Sequence, residues 1–401
     1  MMRNRLLSTL ALAMLAACAQ TPAEVEPEPR IEITLVNGVT HTVDTGLLKD
    51  ICGQGFGLIC TGIGVLYTRG LLGSEDTERG VMYYSMGCEA GHGLGCAGLA
   101  VMYLNGEHFT QDSFAALELY QRACDQGSGL GCSGVGAIYY DGVPGIESDL
   151  TKAREAYEKG CEFYETLSCG SLGRMFWKGQ GGPQSDKLAA ASFEKSCLVG
   201  NLRDCARLGE VLEGQAQSLE DYQSVISLYK RTCSEKELFG CYPIILLYHS
   251  DIEGVQDIGK RNHYANFGCD RRDLFSCELL ALFYRDGDGI EQDYRRAYEL
   301  HEFACNEGSF SACFSYGYQI INGLGTSKDR QRAYLAYKKS CELGDEGGCS
   351  FLSYLSYWGY GTDKDEIAGR KALEGFCAEG EAYACTLLED IEAGKSPEDY
   401  D

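Results

Sequence analysis

The cysteines of this 401-residue chain recur with a strict period. Twenty of the 21 cysteines form pairs with seven residues between the partners, and successive pairs are offset by 36 residues, apart from one offset of 37 between Cys124 and Cys161. The ten pairs are Cys52/Cys60, Cys88/Cys96, Cys124/Cys132, Cys161/Cys169, Cys197/Cys205, Cys233/Cys241, Cys269/Cys277, Cys305/Cys313, Cys341/Cys349 and Cys377/Cys385. Such a period is typical of a solenoid, in which small units of secondary structure stack in one direction. The length of the chain therefore does not require several separate cores.

The abundance of cysteine indicates an oxidising compartment. Regular cysteine pairs serve little purpose where thiols are kept reduced, so 21 cysteines predict an exported protein. The N-terminus agrees, because Arg3 and Arg5 precede an apolar stretch from Leu6 to Leu15 that is too short for a permanent membrane helix. Residues 1–17 are therefore predicted to be a signal peptide.

The one cysteine outside the array, Cys18, directly follows this stretch. Leu15-Ala16-Ala17-Cys18 resembles the lipobox of bacterial lipoproteins, in which the cysteine after the cleavage site receives the lipid. An ordinary signal peptide followed by a chance cysteine is the alternative. Residue 19 is alanine and not the aspartate used for retention in the inner membrane. The resemblance thus implies an outer-membrane lipoprotein that faces the periplasm.

The charge of the chain limits its partners. Loss of Arg3 and Arg5 reduces the 35 basic residues to 33, against 59 acidic residues, which gives a net charge of −26. This balance argues against nucleic acid and against electrostatic adhesion to anionic lipid. Its simplest interpretation is solubility of a chain with a large surface. We expect membrane attachment only through lipid on Cys18.

Two short segments precede the repeats. Residues 18–30 comprise the lipidated cysteine and a stretch with three prolines and three glutamates, which predicts an extended tether about 35–40 Å long. In residues 31–44, apolar and polar residues alternate on both sides of Asn37-Gly38, the strongest short signal for a β-hairpin. Because an isolated hairpin is only marginally stable, we expect it to cap the first helices.

Residues 45–394 have a helical pattern. Counted from the second cysteine of a pair, large apolar residues recur three positions later, small residues four later and aromatic residues seven later, which places them on one face of a helix, helix A. Glycine ten positions later predicts its left-handed C-cap. Helix B then has aromatic and small residues four and eight positions before the next pair, and glycine three positions after the first cysteine ends it. About nine hairpins of 36 residues result, followed by an acidic tail over 395–401.

The stretch from Cys205 to Ser276 departs from this pattern. The glycine that ends helix A is replaced by Gln215 and Asp251, and the glycine that ends helix B is replaced by Lys236 and Arg272. The spacing of the cysteines is retained, so we expect the helices to persist. A change of curvature, a hinge or an insertion-like interface is the expected consequence.

Two disulfide pairings are compatible with these hairpins. Bridges within a hairpin, such as Cys60 to Cys88, would make nine disulfides and leave Cys52 and Cys385 unpaired. Bridges within each C-x7-C pair would use all twenty cysteines and would connect each hairpin to the next, so we favour this pairing. Each would contribute about 2.5 kcal/mol on the chain-entropy model. Zinc is the weaker alternative, because its sites favour two to four intervening residues or a histidine. We expect neither metal nor cofactor.

The recurring residues resemble a known family. The pattern C-x-x-L-[GA]-x-x-Y-x-x-G, followed by A-x-x-x-Y-x-x-x-C-x-x-G, is similar to Sel1-like repeats, which are relatives of the tetratricopeptide repeat, and it is clearest in 96–127 and 132–169. The cysteine pairs resemble the cysteine-rich, Hcp-type branch of secreted Sel1-like proteins. The resemblance implies an all-α, right-handed superhelix whose A helices line a concave groove, and a role as an adaptor or scaffold. Some members of this branch carry a β-lactamase or penicillin-binding label.

Candidate catalytic residues are few. Ser192-Phe-Glu-Lys195 and Ser227-Leu-Tyr-Lys230 match the Ser-x-x-Lys pattern of serine β-lactamases, but the supporting Ser-Asp-Asn and Lys-Thr-Gly elements do not occur. We interpret both matches as chance among surface residues of helix B. The six histidines form no metal-binding motif, and His301 is predicted to pack. No catalytic residue is therefore predicted.

Positions one, five and eight after the second cysteine are predicted to point away from the apolar face of helix A. They carry Tyr140, Arg174, Trp177, Glu210, Glu213, Tyr242, His249, Arg285, Phe314, Tyr318, Tyr354 and Tyr357. Aromatic residues and arginine are typical of recognition surfaces, although aromatic residues on helices also pack against their neighbours. We predict that these side chains line a groove for a protein or peptide.

The sequence thus favours a lipid-anchored scaffold that binds a protein or peptide in the bacterial envelope and performs no chemistry. Two alternatives stay open. One is a hydrolase or binder of β-lactams or peptidoglycan fragments, as the family label suggests. The other is a secreted effector that binds a host protein.

Overall fold

The computed structural model describes residues 30–34, 40–72 and 74–398. In this part of the chain, strands β1 (Arg30–Thr34) and β2 (Thr40–Asp44) precede twenty helices. The helices are α1 (Thr45–Gly53), α2 (Gly57–Thr68), α3 (Thr77–Glu89), α4 (Gly93–Asn105), α5 (Ser113–Asp125), α6 (Gly129–Asp141), α7 (Leu150–Glu162), α8 (Thr166–Lys178), α9 (Asp186–Leu198), α10 (Leu202–Glu213), α11 (Leu219–Thr232), α12 (Cys241–His249), α13 (Ile258–Asp270), α14 (Leu274–Asp286), α15 (Tyr294–Asn306), α16 (Phe310–Asn322), α17 (Arg330–Glu342), α18 (Glu346–Trp358), α19 (Glu366–Ala378) and α20 (Ala382–Glu392). None of these helices has the length and hydrophobicity that a bilayer crossing requires.

The two strands form the predicted hairpin. They pair antiparallel, with Ile31 opposite Val43 and Ile33 opposite His41. The turn at Asn37-Gly38 lies outside the described residues, as do the signal peptide, Cys18 and most of the tether. The role of the hairpin as a cap stays a prediction.

The described residues divide into two compact units, one up to Ser185 and one from Asp186 onward, and each unit is a stack of helix hairpins. In both units, even-numbered helices are A helices and odd-numbered helices are B helices. Each helix packs against its sequence neighbours within the unit, and A helices also touch A helices, α4 with α6 and α12 with α14 among them. Each unit is therefore an all-α solenoid, as the cysteine period predicts.

The residue that begins helix B also closes the hairpin. In most repeats this residue is aspartate, whose carboxylate accepts a hydrogen bond from the N–H three residues later, as in Asp149 and Lys152 at 3.1 Å. Its own N–H donates to the carbonyl of the residue seven positions after the second cysteine, at 2.7 Å from Asp149 to Tyr139 and 2.8 Å from Asp293 to Tyr284. One aspartate thus starts helix B and holds it against helix A.

Each turn from a B helix to the next A helix is closed by a disulfide. All ten C-x7-C pairs are bridged, with Cα–Cα distances of 4.5–4.9 Å. The predicted glycines in these turns have positive φ angles, from +81° to +103°, at Gly55, Gly91, Gly127, Gly200, Gly308, Gly344 and Gly380. The pairing that uses all twenty cysteines is confirmed, and the pairing within hairpins is excluded.

The second cysteine of most bridges is a core residue. It lies on the face of helix A that packs against the neighbouring helices, so its sulfur is shielded from solvent. The cysteines with 0% exposure are Cys96, Cys132, Cys169, Cys205, Cys241, Cys277 and Cys313. These predicted disulfide residues are therefore buried structural elements, and they are not accessible to a ligand or to a catalytic partner.

A recurring contact of the core places an aromatic ring of a B helix on a glycine of an A helix. A Cβ atom added to Gly64 would come within 2.7 Å of the Tyr84 ring, and one added to Gly136 would come within 2.6 Å of the Tyr157 ring. Both tyrosines are buried. The small residue four positions after the second cysteine therefore admits the ring, which is the close approach that the sequence predicts.

The single 37-residue offset is absorbed by the loop over 142–149. Val143 and Ile146 exchange backbone hydrogen bonds of 3.0 and 2.8 Å and form a small turn. The flanking helices α6 and α7 keep the usual 13 residues each. The extra residue therefore leaves the helices of the repeat unchanged.

The helices persist through the irregular stretch from Cys205 to Ser276, as predicted. The connection from α11 to α12 lacks its glycine, and α12 begins only at Cys241 and has nine residues. Arg272, by contrast, adopts the conformation of the glycine that it replaces, with a φ angle of +67°. The expected change of curvature stays a prediction.

Candidate functional site

The outward side of the A helices is the candidate binding surface. If the second cysteine is position zero, positions zero, three, four and seven face the core. A helix turns by about 100° per residue, so positions −2, +2, +5 and +9 lie on the opposite side. We call this side the A face. In α6, for example, Leu130 and Ala137 are exposed, whereas Cys132 and Val135 are buried.

An apolar row extends along the A face of the first unit. The residue two positions before the second cysteine is leucine in each of its four repeats, and the exposed fractions are 64% for Leu58, 44% for Leu94, 42% for Leu130 and 62% for Leu167. Leucine is normally buried, and exposed apolar residues in register mark interaction surfaces. These leucines are absent from the predicted groove, although their constant distance from the cysteines is visible in the sequence.

Position one does not belong to this face in most repeats. Ala97, Ser133, Gly170 and Ser350 are all buried at this position. The reason is geometric, because a residue about 100° from the core-facing cysteine points sideways within the stack and not outwards. The prediction that position one points away from the packed face of helix A is therefore wrong for these repeats.

The three groove residues predicted in the first unit lie at the border of the A face. Tyr140, Arg174 and Trp177 are all half-buried. The Tyr140 hydroxyl donates to Gln180 Oε1 at 3.2 Å, and Arg174 Nη2 donates to Ser171 Oγ at 2.9 Å. Tyr140 therefore connects α6 to the loop after α8.

In the second unit, the structure places three predicted residues in different surroundings. Tyr242 is 38% exposed, and its ring lies 5.3 Å from that of Phe275. The exposed His249 has its Nδ1 atom 2.9 Å from Arg261 Nη1, and because the guanidinium can only donate, this nitrogen is the acceptor. Arg285 forms an ion pair of 2.7 Å with Asp286.

The two predicted acidic residues of α10 differ in their surroundings. Glu213 accepts a hydrogen bond of 2.6 Å from the Tyr229 hydroxyl. Burial raises the pKa of the Glu210 carboxyl, and the nearby Arg207 lowers it by a smaller amount. Burial, followed by the hydrogen bond to Glu213, also raises the pKa of Tyr229. Glu213 is therefore held against α11, whereas the Glu210 side chain is exposed.

The prediction for Tyr354 is wrong. This side chain is fully buried, and its hydroxyl donates to the carbonyl of Lys395 at 2.8 Å, because the segment after α20 folds back onto α18. Phe314 packs edge-on against Tyr337 at 5.2 Å, and Tyr357 packs edge-on against Trp358 at 5.2 Å. Of the four aromatic residues predicted in this region, Tyr318 is the exposed one, at 38%.

The two Ser-x-x-Lys matches differ in their surroundings. Ser192 is buried and its Oγ donates to the carbonyl of Leu188 at 2.8 Å, so the prediction that it lies on the surface is wrong. Ser227 is exposed and lines a cavity of about 440 Å³ with Lys230, Tyr248 and Lys260. Among the described residues, no hydrogen bond connects Ser227 with Lys230.

His301 packs in the core, as predicted. It is 1% exposed, and its Nδ1 atom lies 2.7 Å from Gln319 Oε1. Burial lowers the pKa of His301 to about 4. Within 30–34, 40–72 and 74–398, the histidine, cysteine and acidic side chains form no cluster that could hold a metal ion.

The Sel1 repeat family model matches more than half of the chain. The matched residues are 60–92, 93–128, 130–162, 167–201, 275–309, 310–345 and 348–371. The unmatched stretch 202–274 coincides with the region in which the capping glycines are replaced. No curated protein matches the chain.

Two solved structures share this fold. A protective antigen of uropathogenic Escherichia coli, described as displaying an SLR fold, has a TM-score of 0.67 and 23% identity over 87% of this chain and 75% of that chain. A Sel1 repeat protein from Oxalobacter formigenes has a TM-score of 0.62 and 20% identity over 78% and 90% of the two chains. Helicobacter pylori cysteine rich protein B is 29% identical over 33% of this chain and 93% of that chain, with a TM-score of 0.28.

Proposed function

Because this chain belongs to the Sel1 repeat family, we propose that it is a non-enzymatic scaffold that binds a protein or peptide partner through the A face. The observation that carries the proposal is the row formed by Leu58, Leu94, Leu130 and Leu167, which are 42–64% exposed. In a monomer these four leucines remain exposed to water, and a bound partner would bury them, which is favourable.

The proposed location is the bacterial envelope. Ten disulfides indicate an extracytoplasmic protein, since such bonds persist only in an oxidising compartment. The finer proposal is an outer-membrane lipoprotein attached through Cys18, which rests on the lipobox-like sequence before this residue. Its parts would be a signal peptide (1–17), an anchor with a tether (18–30), a hairpin cap (31–44), the solenoid (45–394) and an acidic tail (395–401).

Site-specific photocrosslinking in intact cells tests the binding surface. A photoreactive residue at Leu94 or Leu130 should give an adduct with an envelope protein. The same residue at Phe114 is the control, because Phe114 is 63% exposed but lies on the B helix α5. Absence of adducts at both leucines, or equal adducts at Phe114, would contradict the proposal.

Fractionation tests the anchor separately. A Cys18→Ala variant should move from the membrane fraction to the soluble periplasmic fraction while its disulfides still form. Membrane association that survives the substitution would show that the lipid on Cys18 is not the attachment.

A second candidate function rests on Ser227 and Lys230, which line the same cavity. A Ser-x-x-Lys pair in a cavity is the minimal element of a β-lactam hydrolase. If the purified protein turns over nitrocefin and Ser227→Ala abolishes this turnover, the protein is a β-lactam hydrolase and not a non-enzymatic scaffold. We expect no turnover, because the supporting elements are missing from the sequence.

A further inference from the structure

The second unit carries an exposed aromatic patch, with three residues at A-face positions and Tyr242 at the neighbouring position one. The patch consists of Phe239, Tyr242, Leu246 and Phe275, which are 38%, 38%, 39% and 59% exposed. The rings of Tyr242 and Phe275 are 5.3 Å apart, and Leu246 lies one turn after Tyr242 on α12. Three of the four residues fall in the stretch 202–274, outside the match to the family model. Side chains that are this exposed contribute little to the packing of the repeat. Their presence in one patch therefore needs another explanation.

The A helices around the patch carry an excess of negative charge. Helices α10, α12 and α14 together contain five carboxylates and three guanidinium groups. Two of the arginines are paired within these helices, Arg207 with Asp204 and Arg285 with Asp286, each at 2.7 Å. The groups that remain are Glu210, Glu213, Glu278 and Arg203, and no ion pair within 4 Å neutralises any of them among the described residues.

The unpaired carboxylates are oriented by neutral donors. Glu213 accepts from the Tyr229 hydroxyl at 2.6 Å, and Glu278 accepts from Ser311 Oγ at 2.7 Å. Hydroxyl groups hold these side chains in place but leave their charge uncompensated. Glu210 has no hydrogen-bond partner among the described residues, and burial raises its pKa. A cation beside these carboxylates would compensate their negative charge.

One ring of the patch already has a cation over it. The guanidinium of Arg203 lies over the Phe239 ring, 4.8 Å from its centroid. A cation over an aromatic face is attracted by the negative charge density of the ring. The rings of Tyr242 and Phe275 offer further faces of this kind, with no cation over them among the described residues.

We propose that the aromatic patch and the three carboxylates Glu210, Glu213 and Glu278 bind a basic segment of a partner polypeptide. Lysine or arginine side chains of that segment would contact the rings and the carboxylates together. The inference rests on the proposed function and names the class of its partner. The net charge of −24 adds long-range attraction for such a segment and repulsion for an acidic one. An uncharged segment would desolvate the carboxylates without compensation.

Binding of short synthetic peptides tests this proposal on the oxidised protein. One fluorescent peptide alternates lysine with leucine, and a second peptide of the same length has glutamate in place of lysine. The lysine peptide should bind and the glutamate peptide should not, as measured by fluorescence anisotropy. Raising the salt concentration from about 0.05 to about 0.5 M should weaken binding, since screening shortens the reach of exposed charges.

Variants locate the site. Phe275→Ala should weaken binding of the lysine peptide about tenfold, the loss typical of an aromatic side chain at the centre of an interface. A Glu210→Gln, Glu278→Gln double variant should weaken binding and reduce its salt dependence. Arg203→Ala should strengthen binding, because it removes the competing cation from Phe239. Phe114→Ala is the matched control and should change nothing, since this equally exposed ring lies on a B helix of the first unit.

The outcomes separate this inference from the proposed function. Unchanged affinity of the Phe275→Ala variant, or equal binding of the glutamate peptide, would overturn the inference. If photocrosslinks from Leu94 still form in that case, the scaffold stands and the partner class is wrong. If neither peptide binds and Leu94 gives no crosslink, both proposals fail.

Discussion

Arg272 adopts a backbone conformation that suits glycine better than any other residue. Its φ angle is +67°, and most other repeats have glycine at this position after the B helix. A side chain costs about 1–2 kcal/mol in the left-handed region. We therefore expect Arg272→Gly to be more stable than Arg272→Ala by about 1 kcal/mol in urea unfolding. The comparison of glycine with alanine cancels the loss of the ion pair between Arg272 and Glu307.

The neighbouring Arg271 provides the control for this prediction. Its φ angle is −101°, so it has no left-handed strain to relieve. At this position alanine should be at least as stable as glycine. The same advantage of glycine at both positions would show that the backbone conformation is not the cause.

The buried His301 predicts a pH dependence of stability. Its pKa is lowered in the folded protein to about 4, from an ordinary value of 6.5, chiefly by burial. A lowered pKa means that the folded state disfavours the protonated form. Its contribution is therefore complete above about pH 6.5 and is lost as the pH falls towards 4 and below, by up to about 3 kcal/mol.

Unfolding curves at several pH values test this prediction. His301→Gln should unfold with a smaller loss of stability between pH 6.5 and 4 than the parent protein. His263→Gln, at an exposed position of α13, is the control and should retain the parent slope. An unchanged slope in His301→Gln would contradict the assignment.

At the scale of helices, the contact between a B-helix ring and an A-helix glycine stabilises several of the hairpins. Gly64→Ala should destabilise the protein by about 1–3 kcal/mol, because the added Cβ would lie 2.7 Å from the Tyr84 ring. Gly62 lies in the same helix with no atom within 4 Å of an added Cβ. Gly62→Ala should therefore stabilise by about 0.5–1 kcal/mol. Denaturant midpoints that shift in opposite directions are the expected result, and equal shifts would rule out this packing explanation.

Much of the fold could be predicted because the same local sequence pattern occurs in every repeat. This applies to the order of the helices, the closing turns and the disulfide pairing. The predictions that were wrong concern residues whose surroundings depend on contacts with distant segments, and a local sequence pattern does not show such contacts. Tyr354 occupies an outward position by spacing, yet a segment some 40 residues later covers it. The shortened α12 depends on how one connection replaces a missing glycine. The leucine row of the A face was predictable in principle, because its residues keep one distance from the cysteines.

Another group of contacts between repeats also escaped prediction. A second glycine follows the C-cap glycine of helix A in Gly181, Gly289, Gly325 and Gly361. In three of these positions a Cβ atom would collide with the backbone at the start of the previous B helix. The G-x-G spacing is visible in the sequence, but its reason lies in the distance between adjacent hairpins.

At the scale of the whole molecule, the disulfides differ in accessibility. Both sulfur partners of the pairs Cys341–Cys349 and Cys377–Cys385 are half-buried, whereas Cys88 and Cys96 are at most 2% exposed. Exchange with an external thiol requires access to a sulfur atom. Mild reduction followed by alkylation and mass spectrometry should therefore label the two C-terminal pairs first. Labelling of Cys88 and Cys96 at the same rate in the folded protein would be inconsistent with this structure, whereas in urea the difference should disappear.

The ten bridges close the turns between the hairpins, and they are also the reason for assigning the protein to an oxidising compartment. Peptide mapping of the protein isolated from its native compartment, without reduction, tests them most directly. Each half-cystine should be joined to the cysteine eight residues away, in all ten pairs, with no free thiol among residues 52–385. Free thiols there, or bridges such as Cys60 to Cys88, would contradict both the stacking of the hairpins and the export of the chain.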